Sequence, residues 1–212
     1  MTGKVAIITA GTRGVGARLV AGYRERGWAV VATARTVGPS PDPDLLTIAA
    51  DIADPATANR IIGGALKRFG RIDTLVNNAG VHLSKRFTDY TPADYAAAEV
   101  SLAGSFWLTQ RAVAEMATRY GGHVVSVLAT MAGPADSGAP AVLAASIRGS
   151  QVAATRSLAL EYAPLGIRVN AVLPQAGQMS DVVNAVLFLE SSPSVTGEIV
   201  RVDGGQIGPE PG

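Results

Sequence analysis

The sequence predicts an α/β domain built on a doubly wound parallel sheet of seven strands, with helices on both faces and a single domain over residues 1–212. Two observations favour this fold class. Short runs of β-branched and apolar residues alternate with longer helical patterns along the whole chain, which is typical of repeated βα units. The composition, 48% hydrophobic and 17% charged over 212 residues, fits a globular chain with one large core.

Seven short apolar runs are predicted to be strands. The first run is apolar on both faces of the pleat, as in the buried strands of parallel sheets. The predicted strands cover residues 5–8, 29–34, 46–49, 74–76, 123–129, 168–173 and 198–202. Three prolines between residues 39 and 43 mark a loop after the second strand.

Five longer patterns are predicted to be helices, over residues 15–26, 55–69, 92–120, 141–162 and 181–190. Asp54 is expected to cap the second helix, with Pro55 at its first helical position. Thr91 and Asp94 have the spacing of a capping box at the start of the third helix. Glycines 121 and 122 are expected to end that helix.

The first strand leads through a glycine-rich turn directly into the first helix, within the run KVAIITAGTRGVG. Glycine lets the backbone approach a phosphate closely, and the free N–H groups and dipole at a helix N-terminus favour negative charge. An isolated glycine triplet usually marks only a tight turn. Here the strand and the helix are both present, so the pattern favours nucleotide binding.

Composition excludes several classes of function. The formal net charge is +1 and no basic block stands out, which argues against nucleic acid as a partner. There are no cysteines, so disulfides and thiol catalysis are absent, and the two histidines do not form a metal site alone. No signal peptide or membrane-spanning run is recognisable, so we expect a cytoplasmic protein without a membrane partner.

Six short motifs in order carry a resemblance to a known family. They are Thr9-Ala-Gly-Thr-Arg-Gly-Val-Gly16, Asp51-Ile52, Asn77-Asn-Ala-Gly80, Thr155-Arg-Ser-Leu-Ala-Leu160, Gly166-Ile-Arg-Val-Asn-Ala171 and Val202-Asp-Gly-Gly205. With these motifs, the chain resembles the short-chain dehydrogenase/reductase family over essentially its whole length. The resemblance implies a Rossmann-type fold, a nicotinamide cofactor and oxidoreductase activity, although activity resides in the site rather than the fold.

The resemblance also implies the cofactor-binding residues. Those of the phosphate turn are Gly11, Thr12, Arg13, Gly14, Val15 and Gly16. Asp51 and Ile52 would face the adenine, and Asn78, Ala79 and Gly80 would line the cleft with Asn77. The first glycine of the family turn is Ala10 here, and its methyl group is expected to weaken binding unless Gly11 compensates.

Cofactor choice follows from the end of the second strand. An acidic residue there would bond the ribose hydroxyls of NAD, but this chain has Ala34 followed by Arg35. Arg13 lies in the glycine turn itself. Two guanidinium groups suit the 2′-phosphate, so NADP(H) is predicted to be preferred over NAD(H).

The catalytic positions of the family are mostly replaced. Counting back from Thr155, the tyrosine position is Ala144 and the lysine position is Arg148, while the family's helical asparagine is Ser101. Thr130 stands at or beside the catalytic serine position. A positioned acid or base contributes about 10²- to 10⁴-fold, so ordinary alcohol–carbonyl turnover is expected to be weak or absent.

Other residues are candidates for the missing roles. Arg148 is long and cationic enough to hold the nicotinamide ribose, and His82, just after the Asn-Ala-Gly turn, could act as the acid. The candidates for catalysis are therefore Thr130, Arg148, Ser101 and His82. The family's substrate-covering segment is also short here, because a predicted helix follows Pro174 almost at once.

Two main readings stay open at this point. One is an NADP(H)-dependent oxidoreductase with altered chemistry and a small-molecule substrate. The other is a non-catalytic NADP(H)-binding or scaffold protein, such as the inactive partner of a catalytic homologue. The resemblance further implies a homodimer or homotetramer through the third and fourth helices, where Phe106 and Trp107 are expected in the core or at the interface. His123 is expected to be structural.

Overall fold

The sheet of the computed structural model contains seven parallel strands among the residues that the structure describes, which are 3–52, 54, 56–80, 84–128, 142–174 and 178–204. The strands are β1 (Val5–Ile8), β2 (Ala29–Ala34), β3 (Leu45–Ala49), β4 (Thr74–Asn77), β5 (Gly122–Val127), β6 (Ile167–Pro174) and β7 (Ile199–Val202). Their order is β3-β2-β1-β4-β5-β6-β7, and every pair is parallel. The predicted fold class is confirmed.

Five helices cover the two faces of the sheet in the described ranges. They are α1 (Gly14–Glu25), α2 (Thr57–Phe69), α3 (Pro92–Ala117), α4 (Val142–Tyr162) and α5 (Met179–Ser191). Buried residues of α1 and α5 form one apolar layer with the sheet, and buried residues of α2, α3 and α4 form the other. Apolar burial on both faces explains why the central strands read as continuous apolar runs.

The topology places a crevice between β1 and β4. From β1 the chain builds outward through β2 and β3, whereas β4 to β7 extend the sheet in the opposite direction. The strands that flank this reversal, β1 and β4, are hydrogen-bonded neighbours, with Ile8 opposite Val76. In open α/β sheets, ligands bind beyond the carboxyl ends of the strands at this point.

The start of α2 corrects one prediction. The helix begins at Thr57, with Ala56 rather than Asp54 as its N-cap residue, and Pro55 lies outside the described residues. Asp54 instead forms a turn before the helix, where its carboxylate accepts a hydrogen bond from the N–H of Ala56 at 2.8 Å. The aspartate thus satisfies a backbone donor one residue before the helix, which is the competing use of this residue type.

The start of α3 agrees with its sequence signal. The hydroxyl of Thr91 accepts from the N–H of Asp94, and the Asp94 carboxylate accepts from the N–H of Thr91 at 2.8 Å, which completes a capping box. Lys85 adds an ion pair to the same carboxylate. At the other end, α3 stops at Ala117, and a turn to Tyr120 replaces the last predicted helical residues.

Candidate cofactor and active site

The glycine turn after β1 packs against β2. The N–H of Gly11 donates to the carbonyl of Thr33 at 2.9 Å. A Cβ atom at Gly11 would lie 3.0 Å from Cβ of Ala32 and 3.2 Å from the carbonyl oxygen of Ile8, so a side chain would push the turn off the strand. The turn is therefore held close to the end of β2, where Arg35 follows.

Gly16 lies where the turn meets α1 and the chain after β4. A Cβ atom at this position would lie 2.1 Å from the carbonyl oxygen of Ala10 and 2.8 Å from Nδ2 of Asn78. Only glycine fits this contact. The expected cofactor residues Gly11, Gly16 and Asn78 are thus brought together in one packed turn.

Ala10, at the position where the resemblance implies the first glycine of the turn, has a φ of +51°. This is the left-handed region, where a Cβ atom costs free energy that glycine does not pay. The turn therefore keeps a backbone conformation that suits glycine although the residue is alanine. Gly11 does not take over this conformation, since the positive φ stays at residue 10.

Thr9 ties the glycine turn to the segment after β4, and its role was missed from the sequence. Its hydroxyl accepts hydrogen bonds from the N–H of Asn78 at 2.8 Å and of Ala79 at 2.9 Å. The amide of Asn78 in turn donates to the carbonyl of Thr9 at 3.1 Å. These bonds cross the crevice floor between β1 and β4. The sequence places Thr9 at the start of the first motif, but only the structure shows its hydrogen-bond partners.

The N-terminus of α1 has the properties of an anion site. Its N-cap residue is Arg13, no side chain caps the helix, and its first turn holds no acidic residue. Thr12, Arg13 and Gly14 are exposed, and among the described residues outside this turn of α1 no atom lies within 4 Å of a Cβ built on Gly14. Open space beside uncapped N–H groups fits a phosphate of a dinucleotide. Val15 is half-buried and begins the packed part of the helix.

The two arginines of the cofactor prediction are both exposed. Arg13 lies in the turn, and Arg35 follows the last residue of β2 directly. Within the described part of the chain, neither side chain has a hydrogen bond or an ion pair. Both guanidinium groups are therefore available to an anionic ligand.

Asp51 and Ile52 follow β3 at the same edge of the sheet. Asp51 is exposed, and its carbonyl accepts a hydrogen bond from the hydroxyl of Thr57 at 2.6 Å. Ile52 packs against α3, where a Cβ atom at Gly104 would lie 2.7 Å from Cβ of Ile52. The missing side chain at Gly104 lets α3 approach this segment and fixes its position.

Asn77 differs from the three residues that follow it. It is buried in the core, and its amide donates to the hydroxyl of Thr109 on α3 at 2.8 Å. Its Oδ1 has no hydrogen-bond partner among the described residues. Asn77 thus connects β4 to α3 within the core, whereas Asn78 and Ala79 are half-buried and Gly80 is exposed.

The positions that the resemblance assigns to the catalytic residues lie on α3 and α4 among the described residues. Ala144 and Arg148 are one helical turn apart on α4, and both are half-buried. Val152, one turn further, packs against Leu128 and other apolar residues of the β5–β6 region. Ser101 is buried on α3. His82 and Thr130 lie outside the described residues.

The connection from β6 to α5 is short, in agreement with the prediction that a helix follows Pro174 almost at once. β6 ends at Pro174 and α5 begins at Met179. Gln178 and Asp181 form a capping box there that was not predicted.

The structure places two aromatic residues of α3 outside the core, although the core is one of the two positions expected for them. Phe106 is 57% exposed and Trp107 is 46% exposed, so neither belongs to the core of this chain. Their rings contact each other edge-on with centroids 5.0 Å apart.

Among the residues that the structure describes, no helix has both the length and the apolar character needed to cross a bilayer.

A doubly wound parallel sheet with a glycine turn and an uncapped helix N-terminus at its switch point defines a Rossmann-type domain. The chain belongs to the short chain dehydrogenase family, whose model matches residues 4–186. This is an oxidoreductase family, and it is the family that the sequence motifs predicted.

Relatives of known activity are similar to most of the chain. It is 31% identical to a 3alpha-hydroxysteroid dehydrogenase of Mediterraneibacter gnavus over 244 aligned positions, with 95% of this chain and 96% of the relative covered. It is 34% identical to a 1,6-dihydroxycyclohexa-2,4-diene-1-carboxylate dehydrogenase of Pseudomonas putida, with 81% and 66% covered. Since the first alignment has 244 positions and this chain 212 residues, that relative has segments that are missing here.

Solved structures share the fold over nearly the whole chain. ElxO with NADP bound superposes with a TM-score of 0.86 at 25% identity, covering 97% of this chain and 98% of that one. A short chain dehydrogenase of Leptospira borgpetersenii with bound NAD+ has a TM-score of 0.84 at 24% identity, covering 97% and 93%. One of these two structures holds NADP and the other holds NAD+.

Proposed function

We propose that this chain is an NADP(H)-binding oxidoreductase of the short-chain type in which ordinary alcohol–carbonyl turnover is weak or absent. The observation that carries the proposal is the combination of a packed glycine turn around Gly16 with alanine at position 144. The first supports cofactor binding, and the second removes the expected proton donor. The nicotinamide would supply the hydride, whereas the protein must supply or accept the proton.

The preference for NADP(H) rests on two side chains. Arg13 and Arg35 flank the junction between the glycine turn and β2, which the bond from Gly11 to Thr33 holds together. A 2′-phosphate accepts charge-assisted bonds from guanidinium groups, and no acidic side chain stands at position 34 or 35 for the ribose of NAD.

Titration calorimetry with NADPH and NADH tests this preference. NADPH is expected to bind more tightly than NADH, and the Arg13→Ala/Arg35→Ala variant should lose that difference. A matched control is Lys67→Ala/Arg156→Ala, which removes two exposed cationic side chains of α2 and α4. Equal loss in both variants would indicate only a general charge effect and would contradict the proposed 2′-phosphate site.

The catalytic part needs a separate experiment. NADPH oxidation with simple ketones should stay at the blank rate in the wild type. Ala144→Tyr together with Arg148→Lys restores the family pair on one face of α4 and should raise the rate by about 10²-fold or more. Ala144→Phe with Arg148→Lys is the control, because it supplies the ring without the hydroxyl. Wild-type turnover as fast as that of the Ala144→Tyr/Arg148→Lys variant would contradict the proposal and direct attention to Thr130, Ser101 and His82.

A non-catalytic binding role is the second candidate, and the exposed apolar side chains of α3 and α4 favour it. Phe106, Trp107 and Leu160 are large and exposed, so they suit contact with a second copy or with a catalytic homologue. Light scattering after size-exclusion chromatography would give the oligomeric state. A dimer or tetramer that Trp107→Glu dissociates supports this surface, and a monomer at micromolar concentration contradicts it.

A further inference from the structure

A buried polar cluster lies at the edge of the sheet opposite the crevice. It joins the start of β4, β5 and β6 to the carboxyl-terminal ends of α1 and α5. We call it the Glu190 cluster; its members are Tyr23, Thr74, His123, Arg168, Asn170 and Glu190. Neither the cofactor site nor the catalytic positions use any of these residues.

Glu190 is the centre of the cluster. Its Oε2 atom accepts hydrogen bonds from the hydroxyl of Tyr23 at 2.9 Å, from the hydroxyl of Thr74 at 2.8 Å and from Nδ1 of His123 at 3.1 Å. The three donors come from α1, β4 and β5. One carboxylate oxygen near the end of α5 therefore connects both helices of one face to the sheet.

The orientation of the Asn170 amide is fixed by two backbone groups. Its Nδ2 donates to the carbonyl of Val195 at 2.9 Å, and its Oδ1 accepts from the N–H of Glu198 at 3.0 Å. Exchanging the oxygen and the nitrogen would break both bonds. Asn170 therefore presents an N–H donor toward His123, 3.1 Å from Nε2.

These partners assign the protonation state of His123. Nδ1 faces the carboxylate of Glu190 and donates, whereas Nε2 faces the Asn170 amide and the Arg168 guanidinium, the latter at 3.3 Å. Both of those groups are donors, so Nε2 must accept and the imidazole is neutral. A proton on Nε2 would point at two donors.

The surrounding charges act in the same direction. Burial lowers the pKa of His123, and the positive charge of Arg168 lowers it further. The Glu190 carboxylate raises this pKa, but not enough to bring it back to its ordinary value. Burial raises the pKa of Glu190, but the bonds from His123, Thr74 and Tyr23 lower it further than burial raises it. Burial and the Glu190 carboxylate raise the pKa of the Tyr23 hydroxyl well above its ordinary value, so this group keeps its proton. Arg26, which follows α1, lowers the same pKa by a smaller amount.

We propose that the Glu190 cluster is an acid-sensitive lock, in which protonation of His123 at Nε2 releases the ends of α1 and α5 from the sheet. The proton finds no acceptor in the described cluster, because the Asn170 amide cannot turn and Arg168 is held by the carbonyls of Leu189 and Val195. The imidazole must move, and its bond to Glu190 breaks with it.

The sign of the pH effect follows. A histidine whose folded pKa lies below its unfolded value binds fewer protons when folded, so its contribution is complete above the ordinary value of about 6.5 and is lost as the pH falls. Release is therefore expected below pH 6.5.

The chain supplies its own reporters. Trp28 contacts the ring of Tyr23 edge-on at 5.1 Å, so Trp107→Phe leaves Trp28 as the single tryptophan, located beside the lock. His82→Gln leaves His123 as the single histidine for imidazole NMR. In the double variant, we expect a reversible change in Trp28 emission below pH 6.5 that coincides with protonation of His123, while far-ultraviolet circular dichroism is retained.

His123→Gln in the same background is the decisive variant, since an amide can donate and accept but does not titrate in this range. Its Trp28 emission should be flat where the parent changes. A persistent change in this variant overturns the proposal. If His123→Gln does not fold, the NMR titration of the parent decides alone: the proposal fails if His123 takes a proton with no change at Trp28, or stays neutral until global unfolding.

Discussion

The hydroxyl of Thr9 accepts a hydrogen bond from the backbone N–H of Asn78 at 2.8 Å, across the point where the strand order of the sheet reverses. The same oxygen accepts from the N–H of Ala79 and donates to the carbonyl of Val76 at 3.4 Å. One buried threonine thus uses its whole hydrogen-bonding capacity to hold the two turns of the crevice together.

Replacing Thr9 by valine should weaken this joint. Valine has nearly the shape of threonine but leaves two N–H groups of the turn without their acceptor, which costs roughly 1–3 kcal/mol. Urea unfolding should show that loss, and calorimetry should show weaker NADPH binding. Thr9→Ser keeps the hydroxyl and is expected to lose less than half as much. Equal losses in the two variants would mean that the methyl group, not the hydroxyl, matters.

Gly16→Ala tests the packed turn. The new Cβ would lie 2.1 Å from the carbonyl of Ala10, so the turn must open and NADPH binding should be lost. Gly63→Ala is the matched control, because Gly63 is exposed on α2 and no atom of the described residues beyond its own helical turn lies within 4 Å of its Cβ position. That substitution should stabilise the chain by about 0.5–1 kcal/mol and leave binding unchanged. Full NADPH affinity in Gly16→Ala would contradict the assigned role.

The sequence was sufficient for the fold and for the motif segments, but not for contacts between distant segments. Periodicity predicts each strand because burial on both faces leaves an apolar run. It cannot show that Tyr23, Thr74, His123 and Glu190 meet, since these residues come from four elements. Asp54 has the same signal for an N-cap as for a turn, and only the backbone decides between them.

Ala10→Gly should relieve strain in the glycine turn. A φ of +51° costs an alanine about 1–2 kcal/mol, while glycine loses about 0.5–1 kcal/mol through the entropy of the unfolded chain. The expected net gain is therefore about 0.5–1 kcal/mol, measured by thermal or urea unfolding, together with tighter NADPH binding. Destabilisation by the full entropic amount would show that Ala10 carries no strain.

The capping box of α3 gives a prediction on pH. The hydrogen bonds from Lys85 and from Thr91 lower the pKa of Asp94 from its ordinary 3.8 to about 2. A carboxylate with a depressed folded pKa stabilises the protein above its unfolded pKa, and this contribution is lost as the pH falls from about 3.8 toward 2. The start of α3 should therefore fray only in strong acid.

Lys85→Met separates the two causes. Without the ammonium group, the pKa of Asp94 should rise toward its ordinary value but stay below it, because the bonds to the N–H and hydroxyl of Thr91 remain. NMR titration of the Asp94 carboxyl carbon measures this shift. High salt should act in the same direction on the wild type, since the Lys85 ammonium is partly exposed and its charge is screened. An unchanged pKa in Lys85→Met would assign the whole depression to the cap, and then Thr91→Ala should remove it.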